Sequence, residues 1–193
     1  IFPCVQIQRD GEDNEDIIRM CRRRIRVPDQ WYGDYLSQLG AARIGERRLK
    51  EFVDKYGMAR VRQFIVDWFD YAERRALHAI QKLPKGTLIN KMTHDPVEPF
   101  LPEGVEITVK VEIEPEAGMV TVDLRDNPDC IDAGLNLTEA CASANAIQGV
   151  FENLEPDLPA NAGSFRRVNI LLRENCVVGI PRFPHCCSLA TTS

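Results

Sequence analysis

Val105-Glu106-Ile107-Thr108-Val109-Lys110-Val111-Glu112-Ile113 alternates apolar and polar side chains without interruption. Successive side chains of a strand point to opposite faces, so this spacing predicts a strand with one buried and one wet face. Pro115-Glu116-Ala117-Gly118 then reads as a turn, and Val120, Val122 and Leu124 return the apolar residues to a single face. The pair forms an antiparallel hairpin. Residues 88–92 add an edge strand before it, and residues 168–172 a further strand after it. Between them, residues 138–151 read as a helix of small side chains, with Ala140, Ala142, Ser143, Ala144, Ala146 and Gly149. Small side chains let another backbone approach, which predicts tight packing against the sheet or a partner.

Upstream, the apolar period changes from two to three and four. Val61, Phe64, Ile65, Trp68, Phe69, Ala72, Ala76, Ala79, Ile80 and Leu83 mark an amphipathic helix from Met58 that Pro84-Lys85-Gly86 stops. Before it, Asp29 is the expected cap of a helix starting near Gln30 and stopping at Tyr56-Gly57. Gly40 and Gly45 lie inside that helix, and each is about 1 kcal/mol less favourable than alanine, which suggests close contact there. A shorter helix follows Asp13-Asn14-Glu15-Asp16, whose negative charge suits a helix N-terminus, and ends at Val27-Pro28. The expected fold is α+β. A helical region spans residues 1–85 and a sheet-containing region spans 86–193, mainly antiparallel with the small-residue helix packed on it.

The 193 residues are 44% hydrophobic, and 24 Lys and Arg against 29 Asp and Glu leave a formal net charge of −5. Such a chain has no global basic field to hold a phosphate backbone, so nucleic acid is not an expected partner. Its apolar runs are a few residues long, against the roughly 20 needed to cross a bilayer, so no membrane span is expected. Seven cysteines, odd in number and irregular in spacing, fit reduced thiols in a cytoplasmic protein better than a disulfide framework. The opening at Ile1 and the close at Ser193 both read as cuts in a longer chain.

Two polar loops carry the candidate chemistry. Residues 123–136 hold Asp123, Asp126, Asp129 and Asp132 with Asn127 and Asn136. Carboxylates at a strand end suit a hard cation, while the same residue types build Asx turns and a helix N-cap with no ligand at all. The second loop is Pro159-Ala160-Asn161-Ala162-Gly163-Ser164-Phe165-Arg166-Arg167. Asn161 and Gly163 suit left-handed backbone, and amides beside Arg166 and Arg167 suit an anion such as phosphate or carboxylate. An ordinary turn before a strand, with the arginines paired to acidic neighbours, is the structural alternative. His185-Cys186-Cys187 is the single Cys/His cluster; three consecutive ligands need a special loop, so no metal site is expected there. No Walker sequence, dinucleotide fingerprint or nucleophile elbow is present. Residue chemistry alone assigns no catalytic residue.

The run Ile25-Arg26-Val27-Pro28, then Gly33-Asp34, Gln38 and Gly45-Glu46-Arg47-Arg48-Leu49, then Asp123 and Gly134-Leu135-Asn136, and finally Pro159-Ala160-Asn161-Ala162-Gly163-Ser164, resembles the hydantoinase B/oxoprolinase family. The resemblance covers nearly the whole chain in order. It implies a portion of a large catalytic subunit that works with a hydantoinase A-type, ATP-handling partner. The family's activities include ATP-dependent opening of cyclic amides such as 5-oxoproline and hydantoins, and ATP-dependent carboxylation of ketones such as acetone. It also implies ATP supplied through the partner, a small-molecule cyclic amide or ketone as substrate, and a divalent metal in the full-length protein that these residues are not expected to hold. Asp34, Asn136, Asn161 and Arg167 become candidates for substrate or intermediate contact. Asp34 reads equally as a helix-surface residue, and Asn136 as a residue that shapes the turn. A ring-opening hydrolase is the first expectation, with a ketone carboxylase subunit and a non-catalytic scaffold or subunit-contact module as alternatives. The 193 residues alone are expected to be inactive.

Overall fold

The computed structural model describes residues 4–99 and 101–185. Cys186 and Cys187 therefore lie outside the described residues, as do both chain ends. The chain divides into two compact units, residues 1–63 and 64–193.

In the first unit, β1 (Gln8–Arg9) pairs antiparallel with β2 (Glu12–Asp13). The tight turn between them places Asp10 and Gly11 at φ 52° and 86°, the positive values that an Asp-Gly hairpin turn uses. Helix α1 (Glu15–Arg24) carries Glu15 and Asp16 in its first turn and three arginines in its last, each complementing the helix dipole. Helix α2 (Pro28–Tyr56) begins earlier than expected: Val27 is its N-cap and Pro28 occupies the first turn, so Asp29 is inside the helix rather than its cap. Proline suits that position because its missing N–H is one that the helix leaves unbonded anyway. Gly57, at φ 81°, ends α2 and donates its N–H to the Val53 carbonyl at 2.7 Å. Gly40 and Gly45 have nothing within 4 Å of where a Cβ would stand, so the expected close contact is not made by the described residues.

The first unit is tied together by Asp13, which the sequence pattern marks only as a helix-start residue. Its carboxylate accepts hydrogen bonds from Tyr35 Oη at 2.7 Å and Gln8 Nε2 at 2.7 Å, with Tyr32 Oη at 3.4 Å. The Gln8 bond, then the Tyr35 bond, holds the Asp13 carboxyl below its ordinary range. Burial, and then the bond to Asp13, pushes the Tyr35 phenol up to about 12. A phenol raised in this way favours the fold in its neutral form, so the contribution is complete below the ordinary value near 10 and is lost as pH rises through about 12. Ultraviolet titration of the four tyrosines should therefore show one late phenolate step, absent in Tyr35→Phe.

Helix α3 (Met58–Ile80) crosses the division between the units. It stops short of the expected Pro84, since residues 81–83 are a turn bonded back to Leu77, Ala79 and Ile80. The second half of α3, which lies in the unit beginning at residue 64, buries Ala72, Ala76, Ala79 and Ile80. Between them and the buried Val61, Phe64 and Trp68 of the same apolar stripe stay exposed, at 52% and 42%.

The sheet of the second unit runs β3 (Gly86–His94), β4 (Val105–Glu114), β5 (Met119–Asp123) and β6 (Val168–Leu171), adjacent in that order. The first three are antiparallel neighbours, and β6 is parallel to β5, so the sheet is mixed. A parallel neighbour needs a crossover, and helix α4 (Glu139–Phe151) lies in it, capped by Thr138 Oγ1 accepting from Cys141 N at 3.2 Å. The core gathers Ile80, Val120, Val122, Leu124, Cys176, Val177 and Val178, with Ala146 and Val150 of α4 packed against it. Only Ala142 of α4 is buried, so the small-residue helix is packed tightly along one line and open elsewhere.

Candidate functional site

Residues 159–167 form the loop that enters β6, and they lie against α3. A Cβ added to Gly163 would stand 2.0 Å from the Phe69 carbonyl oxygen and 2.6 Å from Phe69 Cα. Glycine is required there by proximity and not by a left-handed backbone, because Gly163 has φ −72°, and Asn161 is not among the positive-φ residues. The loop closes on itself around the fully buried Ser164. Asn161 N donates to Ser164 Oγ at 3.1 Å, while the hydroxyl bonds the Pro159 carbonyl at 2.6 Å. Asn161 Oδ1 accepts from Gly163 N at 2.8 Å, an Asx turn leading into the single 3-10 turn Ser164–Arg167.

Two arginines leave that turn and meet α3. Arg166 Nη1 lies 2.8 Å from Glu73 Oε2 and 3.2 Å from Asp70 Oδ1, and Arg167 Nη2 lies 2.5 Å from Glu73 Oε1. The Arg166 guanidinium, with help from Arg167, holds the Glu73 carboxyl below its ordinary range despite partial burial. Glu73 thus fixes the loop, a role that its place on the wetter side of an amphipathic pattern conceals. Two donors remain over. Asn161 Nδ2 and Arg167 Nε are the buried side-chain polar atoms without a partner among the described residues. Unpaired buried donors are uncommon in folded proteins and call for an explanation, and an oxygen-rich ligand would satisfy both.

The other polar loop is bonded both within itself and to its neighbours. Asn127 accepts from Thr108 N at 2.7 Å and donates to the Thr108 and Leu124 carbonyls at 2.7 and 2.9 Å, so its carboxamide stands in for a missing strand residue. Asn136 is fully buried; it accepts from Ile131 N and donates to the carbonyls of Ile131 and Ala133, each at 2.9 Å. Of its two readings, the turn-shaping one describes this geometry. Asp123 pairs with Arg125 at 2.8 Å, and that bond lowers its carboxyl. Asp129 pairs with Arg173 at 2.8 Å and Asp132 lies 3.5 Å from His185 Nδ1. Arg173 also donates to the carbonyls of Arg125, Asn127, Glu174 and Asn175, stitching this loop to the stretch after β6.

Among the described residues, no three His, Cys, Asp or Glu side chains converge as a metal site. The described cysteines are unpaired, and burial pushes the Cys130 thiol up, away from thiolate chemistry. No helix of the described residues is long and apolar enough to cross a membrane. Asp34 is exposed on α2 in the first unit, while Asn136, Asn161 and Arg167 belong to the second. The structure brings Asn161 and Arg167 into one loop and places Asn136 in another.

The chain is α+β, its buried asparagines pin its polar loops, and its two spare donors sit in one arginine-bearing loop. The chain belongs to the hydantoinase B/oxoprolinase family, whose model matches residues 1–193. It is similar to the caprolactamase beta subunit of Pseudomonas jessenii, at 28% identity over 88% of this chain and 28% of that protein. It is also similar to the B component of a putative D-/L-hydantoinase of Pseudomonas sp. (strain NS671), at 26% identity over 95% of this chain and 32% of that one. The crystal structure of the ATP-dependent caprolactamase from Pseudomonas jessenii superposes with a TM-score of 0.79 at 26% identity, over 96% of this chain and 32% of that one. A nucleotide-free acetone carboxylase structure matches with a TM-score of 0.83 at 14% identity, over 97% of this chain and 26% of that one, and carries the fold alone. The chain spans under a third of the length of the curated relatives it matches.

Proposed function

We propose that this chain is part of the catalytic subunit of an ATP-dependent cyclic-amide hydrolase of the hydantoin or 5-oxoproline type, cytoplasmic and acting with a hydantoinase A-type partner that handles ATP. The relatives named as a caprolactamase beta subunit and a hydantoinase B component support the substrate class, since lactams and hydantoins share a ring amide. The single observation that carries the site is the pair of spare donors, Asn161 Nδ2 and Arg167 Nε, in one loop. ATP turns an amide oxygen into a leaving group by phosphorylating it. Water then adds to the former carbonyl carbon, the ring C–N bond breaks as the nitrogen takes a proton, and a second water hydrolyses the resulting acyl phosphate to carboxylate and phosphate. Asn161 and Arg167 are proposed to hold an oxygen of that activated species, where charge develops. Glu73 keeps the Arg167 side chain in place by its 2.5 Å bond to Nη2.

The test is an assay of the complete polypeptide with its partner. ATP-dependent opening of 5-oxoproline, hydantoin or a lactam is the expected result; ATP- and bicarbonate-dependent consumption of a ketone would overturn it. Within the working enzyme, Asn161→Asp retains the Oδ1 acceptor of the Asx turn and removes the spare donor. Turnover should fall about a hundredfold, in the range for losing one donor to a developing oxyanion, with the melting temperature nearly unchanged. A matching loss of stability and turnover would mean that Asn161 serves the turn alone. The bonds of Asn127 to Thr108 and Leu124, and of Ser164 to Pro159, favour a scaffold role for those two side chains.

A further inference from the structure

The sheet of the second unit has one apolar face, and α4 occupies only half of it. By register, Leu88, Asn90 and Met92 of β3 stand beside Val111, Val109 and Ile107 of β4, and the same face continues to Val120 and Val122 of β5. Helix α4 packs along β6, at the far side of the sheet. No described residue lies over the β3 side: every residue of β3 is exposed, Leu88 at 62% and Met92 at 70%. What remains is an open groove of 680 Å3 between the sheet and α4.

Its dimensions and chemistry select an occupant. Strands lie about 4.8 Å apart, so four of them present a face roughly 14 Å wide between the outer strands. A helix with its side chains is about 10 Å across, so one helix covers half of such a face and leaves room for a second. The α4 wall of the groove includes Ala142, Ala146 and Gly149, and a Cβ added at Gly149 would meet nothing within 4 Å. Short side chains there let a neighbouring helix axis come to the near end of the usual 8–10 Å spacing. Among the described residues, no Lys, Arg, Asp or Glu lines the groove, and its polar members are Asn90, Asn145 and Asn153. An uncharged aliphatic lining of this kind matches a domain core cut in half, not a transient docking surface.

We propose that the groove seats an amphipathic helix, laid beside α4 over β3 and β4 and supplied by the longer polypeptide of which this chain is a portion. The assignment rests on that portion reading, which the relatives' greater length supports. The experiment compares the complete polypeptide from the same reading frame with the 193-residue chain. In Leu88→Cys, alkylation at position 88, read by peptide mass, should be at least about tenfold slower in the complete polypeptide, as expected when local opening must precede reaction. Leu88→Lys should lower the melting temperature of the complete polypeptide by roughly 5 °C and that of the 193-residue chain by under about 1 °C. Equal alkylation rates overturn the proposal, as does a reading frame that adds no helix. A 193-residue chain that sediments as a dimer dispersed by Leu88→Lys assigns the groove to a second copy and overturns it as well. Protection at position 88 in a complete polypeptide without ring-opening activity leaves the groove assignment standing and removes the functional one.

Discussion

Gly163→Ala should destabilise the second unit by about 3 kcal/mol, the upper end of the range for overpacking a filled site. The added methyl would lie 2.0 Å from the Phe69 carbonyl oxygen and 2.6 Å from the Phe69 carbonyl carbon and Cα. All three are backbone atoms of α3, so no rotamer change relieves the overlap, and the loop itself must move. The dihedral angles are not the reason, because φ −72° is open to alanine. Chemical denaturation should show the midpoint falling with the slope unchanged. Gly149→Ala supplies the opposite result in the 193-residue chain. That position is inside α4 with nothing within 4 Å of the new carbon, so alanine should stabilise by about 0.5–1 kcal/mol through helix propensity. Two glycines of the same unit thus respond with opposite signs, and the difference is contact with a backbone.

Asn136→Ala should cost about 3 kcal/mol, because it strands Ile131 N–H and the carbonyls of Ile131 and Ala133 in a site with no solvent access. Asn136→Asp should be no better: it keeps the acceptor for Ile131 N–H but turns a charged oxygen toward two carbonyls. Denaturant unfolding checks both. In the assembled enzyme, activity should decline with the fraction folded and with no change in KM for the folded remainder. A KM rise in fully folded Asn136→Ala would instead give Asn136 the substrate contact that its motif position suggests.

The hairpin of β4 and β5 is legible from the sequence because strict alternation has one structural solution; α3 is legible from its apolar spacing, though not its stop at Ile80, and α4 (Glu139–Phe151) from its run of small side chains after Thr138. The parallel placement of β6 is not, since alternation in a strand carries no information about its neighbour. Gly163 shows the same limit at a single residue. Its sequence setting looks like a turn, and only the path of α3, far earlier in the chain, makes glycine obligatory. Asp13 is misread for a related reason. An acidic residue just before a helix matches the local rule for a cap, yet its partners are Tyr35, twenty-two positions away, and Gln8. Of the candidate site residues, Asn161 and Arg167 share a loop because they share a motif, whereas the engagement of Asn136 and the anchoring role of Glu73 depend on burial and on cross-chain pairing.

Arg173 bears on how this family's chains can vary in length. One guanidinium reaches the carbonyls of Arg125, Asn127 and Asn175 and the carboxylate of Asp129. The two irregular stretches it joins also exchange backbone bonds, from Val177 N to Pro128 O and from Leu137 N to Val177 O. Inserting or deleting a residue in either stretch would put both sets of bonds out of register together. Irregular loops are usually where insertions are tolerated; here, length changes should instead collect in segments such as the turn at residues 115–118, whose backbone hydrogen bonds stay within residues 114–118 and whose ion pair, Lys85 to Glu116, is exposed.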